Sequence, residues 1–289
     1  MLVLAIDQGT TNTKALIVDE TGQIHAHASA PSSTDYPHPG WAEQSASGIW
    51  DDTRTVIDAV AGQLPGRSID AIAISNQRET IVAWDVETGE PVGPAILWQC
   101  RRTAPECAAL IAACHNDTVE AATGLGINPM FPASKLGWIL KNRPEAIKLL
   151  DQGRLRAGTV DSWLLWKLTA GASFATDHSN ASRTQLFDTE LLQWSDELSE
   201  IFGTPTACLP TPLASDSRFG ETAAGATSLP SGIPIMAMLG DSHAALYGHG
   251  VRRPGTVKAT YGTGSSLMTL TPKRVASSHG LSGTIAWTD

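Results

Sequence analysis

The sequence predicts an α/β fold: a mixed sheet flanked by helices, arranged as two related lobes that face one ligand. Apolar runs of strand length recur at residues 2–7 (LVLAID), 69–75 (IDAIAIS) and 233–239 (IPIMAML), with helical apolar spacing between them. A strand, a tight Gly/Thr turn and a returning strand occur near each end, over 2–19 and again over 255–271 (GTVKATYGTGSSLMTLT). No tandem repeat of fixed period competes with that recurrence.

Residues 2–7 form the first strand, Gln8-Gly9-Thr10-Thr11 turns the chain, and 13–19 (TKALIVD) returns by alternation. After a turn at Glu20-Thr21-Gly22 a third strand covers 24–30, so the chain opens as a meander rather than a βαβ unit. Residues 35–40 are a Pro-rich loop. Over 45–61, Ile49, Trp50, Val56, Ile57 and Val60 fall at helical spacing behind Ser45, whose hydroxyl suits an N-cap. The strand at 69–75 leads into a hairpin, 80–85 and 91 onward, turned at Glu87-Thr88-Gly89. Helical pattern begins at Thr103 with Pro105 near its start, and 134–150 gives two short helices broken at Pro144. An amphipathic helix is expected at 161–168 (DSWLLWKL), after an extended Gly158-Thr159-Val160. Loop-rich chain then runs to the strand at 233–239, which enters Gly240-Asp241, and a helix starts over 244–247.

The 289 residues are 42% hydrophobic and 17% charged, enough for one large domain or two moderate ones with real cores. A net charge of -9 without any Lys/Arg run argues against nucleic acid or an anionic membrane as partner, and favours a small soluble ligand. The N-terminal apolar run is broken by Asp7, too early for a signal peptide, and no stretch reaches membrane-span length. A cytoplasmic protein is expected, with a homo-oligomer left open. Cys100, Cys107, Cys114 and Cys208 lack the C-x2-C pairing of a zinc site and read as reduced thiols. The spacing of the first three would put them on one face of any helix they share. Asn180-Ala181-Ser182 matches a glycosylation acceptor, idle in a cytoplasmic chain.

Four segments carry chemistry. In Asp7-Gln8-Gly9-Thr10-Thr11-Asn12-Thr13-Lys14 a tight turn lets backbone N–H groups converge on an anion, with hydroxyls and the Lys14 ammonium beside them. Asp7, at the strand end, can hold Mg²⁺ through water; an ordinary polar turn is the bland alternative. Tyr261-Gly262-Thr263-Gly264-Ser265-Ser266 repeats that chemistry, and two such turns flanking a cleft make a phosphate clamp. Neither a P-loop nor a dinucleotide fingerprint is present. Asp241 in Gly240-Asp241-Ser242-His243 follows an apolar strand, where a carboxylate can take a proton from a hydroxyl in phosphoryl transfer or merely cap a helix. His243 and His249 lack a third metal ligand at suitable spacing and read as core or solvated. Asn76-Gln77-Arg78-Glu79 follows another strand: Arg78 and Glu79 can bond vicinal hydroxyls while the Trp98 indole packs on a carbon chain, although a surface ion pair and a core Trp would look the same.

Together these motifs resemble the FGGY family of carbohydrate kinases, and within it the glycerol kinases. The resemblance runs over the whole chain: AIDQGTT at 5–11, ISNQRET at 74–80, LWQCRRT at 97–103, MFPASKLGWILKN at 130–142, GTVDSWLLWKLT at 158–169, NASRTQLFD at 180–188 and TYGTGSS at 260–266. It implies the ribonuclease-H-like, actin-like ATPase fold, with ATP and Mg²⁺ as cofactors and a small polyol or sugar as acceptor. It assigns residues 1–250 to a substrate-binding domain and 251–289 to the opening hairpin of a nucleotide-binding domain, a chain expected to be incomplete and inactive alone. Thr10, Thr11, Lys14 and Thr263 fall at phosphate-contacting positions, Asp7 at the metal-associated carboxylate and Asp241 at the general base. Arg78, Glu79 and Trp98 fall at acceptor-contacting positions. Two departures lie in the acceptor site: glycerol kinases usually carry Tyr at Met130 and Gln at Ser242, and losing both polar anchors opens the site to a tetritol or pentulose such as erythritol, ribulose or xylulose. Lys14 replaces their common Arg. A non-catalytic, ATP-gated switch is the alternative from another class.

Overall fold

The computed structural model describes residues 1–261, 265–277 and 279–289. In chain order its elements are β1 (Leu2–Gln8), β2 (Asn12–Asp19), β3 (Ile24–Pro31), β4 (Glu43–Gln44), α1 (Ala46–Gln63), β5 (Ala71–Asn76), β6 (Ile81–Asp85) and β7 (Ala95–Ile96). There follow α2 (Ala104–Ala112), α3 (Asn116–Thr123), α4 (Pro132–Asn142), α5 (Pro144–Asp151), β8 (Leu155–Thr159), α6 (Val160–Leu168), β9 (Ala175–Asp177) and α7 (His178–Ala181). The remainder comprises β10 (Phe187–Asp188), β11 (Gln193–Trp194), α8 (Asp196–Phe202), β12 (Thr211–Leu213), β13 (Gly220–Glu221), β14 (Pro234–Gly240), α9 (Asp241–Gly248), β15 (Val257–Thr260) and β16 (Ser266–Thr269).

The main sheet has the order β13-β14-β5-β1-β2-β3. The meander β1-β2-β3 is antiparallel, closed at its first corner by Gly9 N–H donating to the Asn12 carbonyl at 3.0 Å. The chain then crosses through α1, capped by the Ser45 hydroxyl as expected, to add β5 parallel to β1 and later β14 parallel to β5. Three carboxyl ends therefore lie side by side, with Gln8, Asn76 and Gly240 in one row. In open α/β sheets ligands bind beyond such ends.

A second sheet, β4-β7-β6-β8, is buried on both faces. Its alternation divides the interior: Val82 and Trp84 join the core beneath the main sheet and α1, while Ile81 and Ala83 join the core formed with α2 to α5 and α8. Helix α6 lies inside the first core, with every residue but Lys167 buried, so the expected amphipathic helix is a buried one. Pro144 breaks α4 from α5 as expected.

Two further expectations change. Of the first three cysteines only Cys107 lies in a helix, α2; Cys100 precedes it and Cys114 follows it at φ 66°, so the three thiols share no helix face. The stretch read as loop-rich contains a polar run, 175–187, that is buried throughout. Strands β15 and β16 pair antiparallel with each other. The last residues return to earlier parts of the chain, where Gly283 N donates to the Gly124 carbonyl at 2.9 Å and Ser215 N to the Thr288 carbonyl at 2.9 Å. No helix among the described residues is long and apolar enough to cross a membrane.

Candidate active site

The row of carboxyl ends gathers most of the sequence-predicted residues. Asp241 opens α9 directly after β14, and Arg78 emerges two residues beyond β5. Arg78 Nε donates to Asp241 Oδ1 at 3.0 Å, and Arg78 Nη2 donates to Ser242 Oγ at 3.1 Å. The Ser242 backbone N–H also donates to Asp241 Oδ1, at 2.5 Å. Both donors converge on one carboxylate oxygen; among the described residues Oδ2 accepts no hydrogen bond, and the side chain is 41% exposed. Gly240 makes this approach possible: a Cβ there would come within 2.7 Å of Arg78 Cγ and Cδ.

Glu79 is buried at a left-handed φ of 61°, a conformation costly for a residue with a side chain. Its Oε1 accepts from Arg183 Nε at 2.7 Å and lies 4.0 Å from Arg78 Nη1, so Asp241, Arg78, Glu79 and Arg183 form a string of alternating charge. Burial pushes the Glu79 carboxyl upward, but Arg183, Arg78 and Lys135 together hold it below its ordinary range. Lys135, fully buried on α4, donates to the carbonyl oxygens of Glu79 at 2.9 Å and Met130 at 2.5 Å. Burial lowers its amine to about 7. Met130 is half-buried, and its carbonyl shares the Lys135 ammonium with the Glu79 carbonyl.

The first turn adjoins the string. Asp7 is half-buried at the end of β1 and accepts from Ser75 Oγ at 3.1 Å; burial raises its pKa, the charge of Asp241 adds to this, and Ser75 and Lys14 oppose it. Thr11 and Lys14 are exposed. The Thr10 hydroxyl accepts from Trp98 Nε1 at 3.0 Å, so the indole expected on the acceptor wall is tied to the phosphate turn. Thr263 lies outside the described residues. Lys258 of β15 is buried, and its pKa is lowered by burial and by Arg78, with Asp241 opposing. His243 is a core residue: both ring nitrogens are buried without a partner among the described residues, and burial, then Arg78, Arg183 and Lys258, keep the imidazole neutral. No group of three or more His, Cys, Asp or Glu that could hold a metal is found among the described residues. One half-buried carboxylate at Asp7 suits an ion that keeps most of its waters and shares phosphate oxygens, as Mg²⁺ does.

Arg183 and the bracket that carries it escaped the sequence reading. Asp177 caps α7, and the Asn180 side chain pairs reciprocally with Asn76 at 3.0 Å in both directions. Ser179 Oγ donates to Asp177 and accepts from Gly240 N–H at 3.0 Å. One short helix thus fixes the ends of β5 and β14, and with them Arg78 relative to Asp241. The available signal was NASRT, a polar string without periodicity, which resembles loop unless its polar groups are counted against buried partners. The glycosylation match is closed as well, since Asn180 is fully buried.

Residues 2–248 match the model of the FGGY family of carbohydrate kinases, N-terminal domain. The chain is 44% identical over 289 residues to an apulose kinase of Pectobacterium atrosepticum, covering all of this chain and 58% of that protein. It is 44% identical over 288 residues to a glycerol kinase of Symbiobacterium thermophilum, covering 99% and 57%. The crystal structure of Plasmodium falciparum glycerol kinase with ADP superposes at a TM-score of 0.95 and 32% identity, over 99% of this chain and 58% of that one. A xylulose kinase from Rhodospirillum rubrum shares the fold at a TM-score of 0.87 and 24% identity, covering 96% and 57%. The chain thus spans little more than half the length of the relatives it matches. With an actin-like ATPase fold and a family match over residues 2–248, the chain belongs to the FGGY family of carbohydrate kinases.

Proposed function

We propose that this chain is the acceptor-binding part of an ATP-dependent kinase that transfers the γ-phosphate of ATP to a hydroxyl of a small polyol or sugar. The observation that carries this is the state of Asp241: two donors occupy Oδ1, leaving Oδ2 to take the proton of an acceptor hydroxyl. Arg78, Glu79, Trp98, Met130 and Ser242 would frame the acceptor so that the deprotonated oxygen lies in line with the γ-phosphorus. Lys14, the Thr11 hydroxyl and the first turn would neutralise phosphate charge together with the second Gly/Thr turn, which includes Thr263. Asp7 would hold Mg²⁺ through water, and the ion supplies charge neutralisation on the phosphates. Residues 1–250 would form the acceptor domain and 251–289 the start of a nucleotide domain. An ATP-dependent reaction on a small soluble acceptor belongs in the cytoplasm, with neither nucleic acid nor membrane as partner.

Glycerol kinases and an apulose kinase are both relatives at about 44% identity, which supports a small polyol or sugar as acceptor. Met130 and Ser242 favour an acceptor larger than glycerol: Ser242 Oγ is already engaged by Arg78, and a thioether offers no strong donor. The test is ADP release by the complete protein with glycerol, erythritol, xylitol, ribulose, xylulose and apulose. Release with none of them above the acceptor-free rate would count against the kinase reading. Release with glycerol alone would refute the enlarged site.

A further inference from the structure

Beneath the first Gly/Thr turn lies a buried amide network that neither the phosphates nor the acceptor would touch. Gln77 sits at its centre, immediately before Arg78 and Glu79, and is 1% exposed. Its backbone N–H donates to the Gln8 carbonyl at 2.6 Å. Its Nε2 donates to Gln8 Oε1 at 3.1 Å and to Gln44 Oε1 at 2.9 Å. The orientations of those two amides are fixed by backbone carbonyls, because Gln8 Nε2 donates to the Gly9 oxygen at 2.9 Å and Gln44 Nε2 to the Thr10 oxygen at 2.7 Å. Gln77 Oε1 is therefore an acceptor, and it receives the hydroxyls of Thr80 at 2.8 Å and Thr10 at 3.3 Å.

Donor counting then fixes Thr10. An indole N–H can only donate, so Thr10 Oγ1 accepts from Trp98, and its single hydrogen is directed to Gln77. Trp98 is held a second time through its backbone N–H, which donates to Thr80 Oγ1 at 3.3 Å. Both hydroxyls that hold Trp98 thus pass their hydrogens to the same amide oxygen. In this arrangement Thr10 has no hydrogen left for a phosphate, and the exposed Thr11 carries the turn's hydroxyl that has no hydrogen bond among the described residues.

We propose that Gln77 is a positioning residue that couples the acceptor wall at Trp98 to the phosphate turn at Thr10, so that seating the acceptor fixes the turn that meets the γ-phosphate. Its kinetic consequence rests on the phosphotransfer reading above; its structural consequence does not. Fully satisfied buried networks of this kind act as units, so removing either end of one link should cost about the same as removing both.

The test compares Thr10→Val, Trp98→Phe and the double variant in the complete protein, with Thr10→Ser as the conservative control. With the best acceptor of the panel, each single change is expected to lower kcat/KM about tenfold, the double variant no more than about twofold further, and Thr10→Ser to recover most of the loss. Effects that multiply to roughly a hundredfold, or a Thr10→Val change confined to the KM for ATP, would overturn the proposal. A second readout needs no turnover: hydrogen exchange at residues 8–14 is expected to speed up in Trp98→Phe and Gln77→Glu but not in Thr10→Ser. Unchanged exchange in Trp98→Phe overturns the coupling even if no acceptor is phosphorylated, whereas absent phosphorylation with faster exchange overturns only the functional reading.

Discussion

Arg78 reaches Asp241 by lying across Gly240, its Nε 3.0 Å from Asp241 Oδ1 and its Cγ and Cδ where a Gly240 side chain would stand. Gly240→Ala is therefore expected to displace Arg78 and lower turnover while thermal stability falls little, since the α9 start is otherwise unchanged. Asp241→Ala removes the base and should lower kcat by roughly 10² to 10⁴ with acceptor affinity within several-fold. Steady-state ADP release and acceptor calorimetry check both; near-normal turnover of Asp241→Ala would refute the base assignment.

Among the described residues Glu79 is the only carboxylate in an ion pair with Arg183, and its charge also faces Arg78 and Lys135. Glu79→Gln leaves the buried Arg183 and Lys135 facing a neutral partner, while the half-buried Arg78 keeps Asp241. A loss of about 3 kcal/mol or more in urea unfolding is expected, in the range for breaking a buried pair from one side. A loss under about 1 kcal/mol would show that the string does not hold this end together.

The Lys135 amine lies near 7 in the folded chain, against an ordinary value of 10.5. Between those values the unfolded chain binds the proton more often than the folded one. Stability contributed through this group therefore rises as pH increases from 7 towards 10, and the full penalty of the buried ammonium applies below 7. Lys135→Met should remove that rise, so unfolding free energies measured between pH 7 and 9 should slope differently for the two proteins. Parallel profiles would exclude a shifted Lys135.

Asn180→Ala strips Asn76 of both partners in their reciprocal pair and loosens the bracket on β5. Leaving buried amide groups unmatched costs about 1 to 3 kcal/mol. The expected reading is a lower urea midpoint together with a fall in kcat, because the ends of β5 and β14 carry Arg78 and Asp241. Stability loss without any kinetic effect would confine the bracket to folding.

Three of the four thiols, Cys100, Cys107 and Cys208, are buried and only Cys114 is exposed. Burial pushes the Cys208 thiol up to about 11. A disulfide-exchange reagent at pH 8 should thus titrate one thiol in the native protein and four in denaturant. Two or more fast native thiols would contradict the packing around α2.

Much of the frame was legible because it rests on local rules. The β1-β2-β3 meander follows from alternation and turn residues, the start of α1 from the Ser45 cap, and the gap between α4 and α5 from Pro144. Asp241 stood out as an acid directly after an apolar strand. What did not show was which polar residues are inside. The run 175–187 looks like loop because its buried groups are satisfied across the fold, as in Asn76 with Asn180, and such pairings leave no period in the chain.

The sequence by itself determined the opening meander, α1, the strands β5 and β14, the family, and Asp7, Arg78 and Asp241 at the strand ends. Tertiary structure decided how those groups are committed: Arg183 pairs with Glu79 from 104 residues away, and Trp98 takes the Thr10 hydroxyl from 88 residues away. Apolar patterning fixes which face of a strand or helix is buried, since water exclusion depends on local periodicity. A hydrogen bond needs one particular donor within about 3 Å of one particular acceptor, and only the tertiary fold brings these groups that close: α7 against the end of β5 for Arg183, and the chain after β7 against the β1–β2 turn for Trp98.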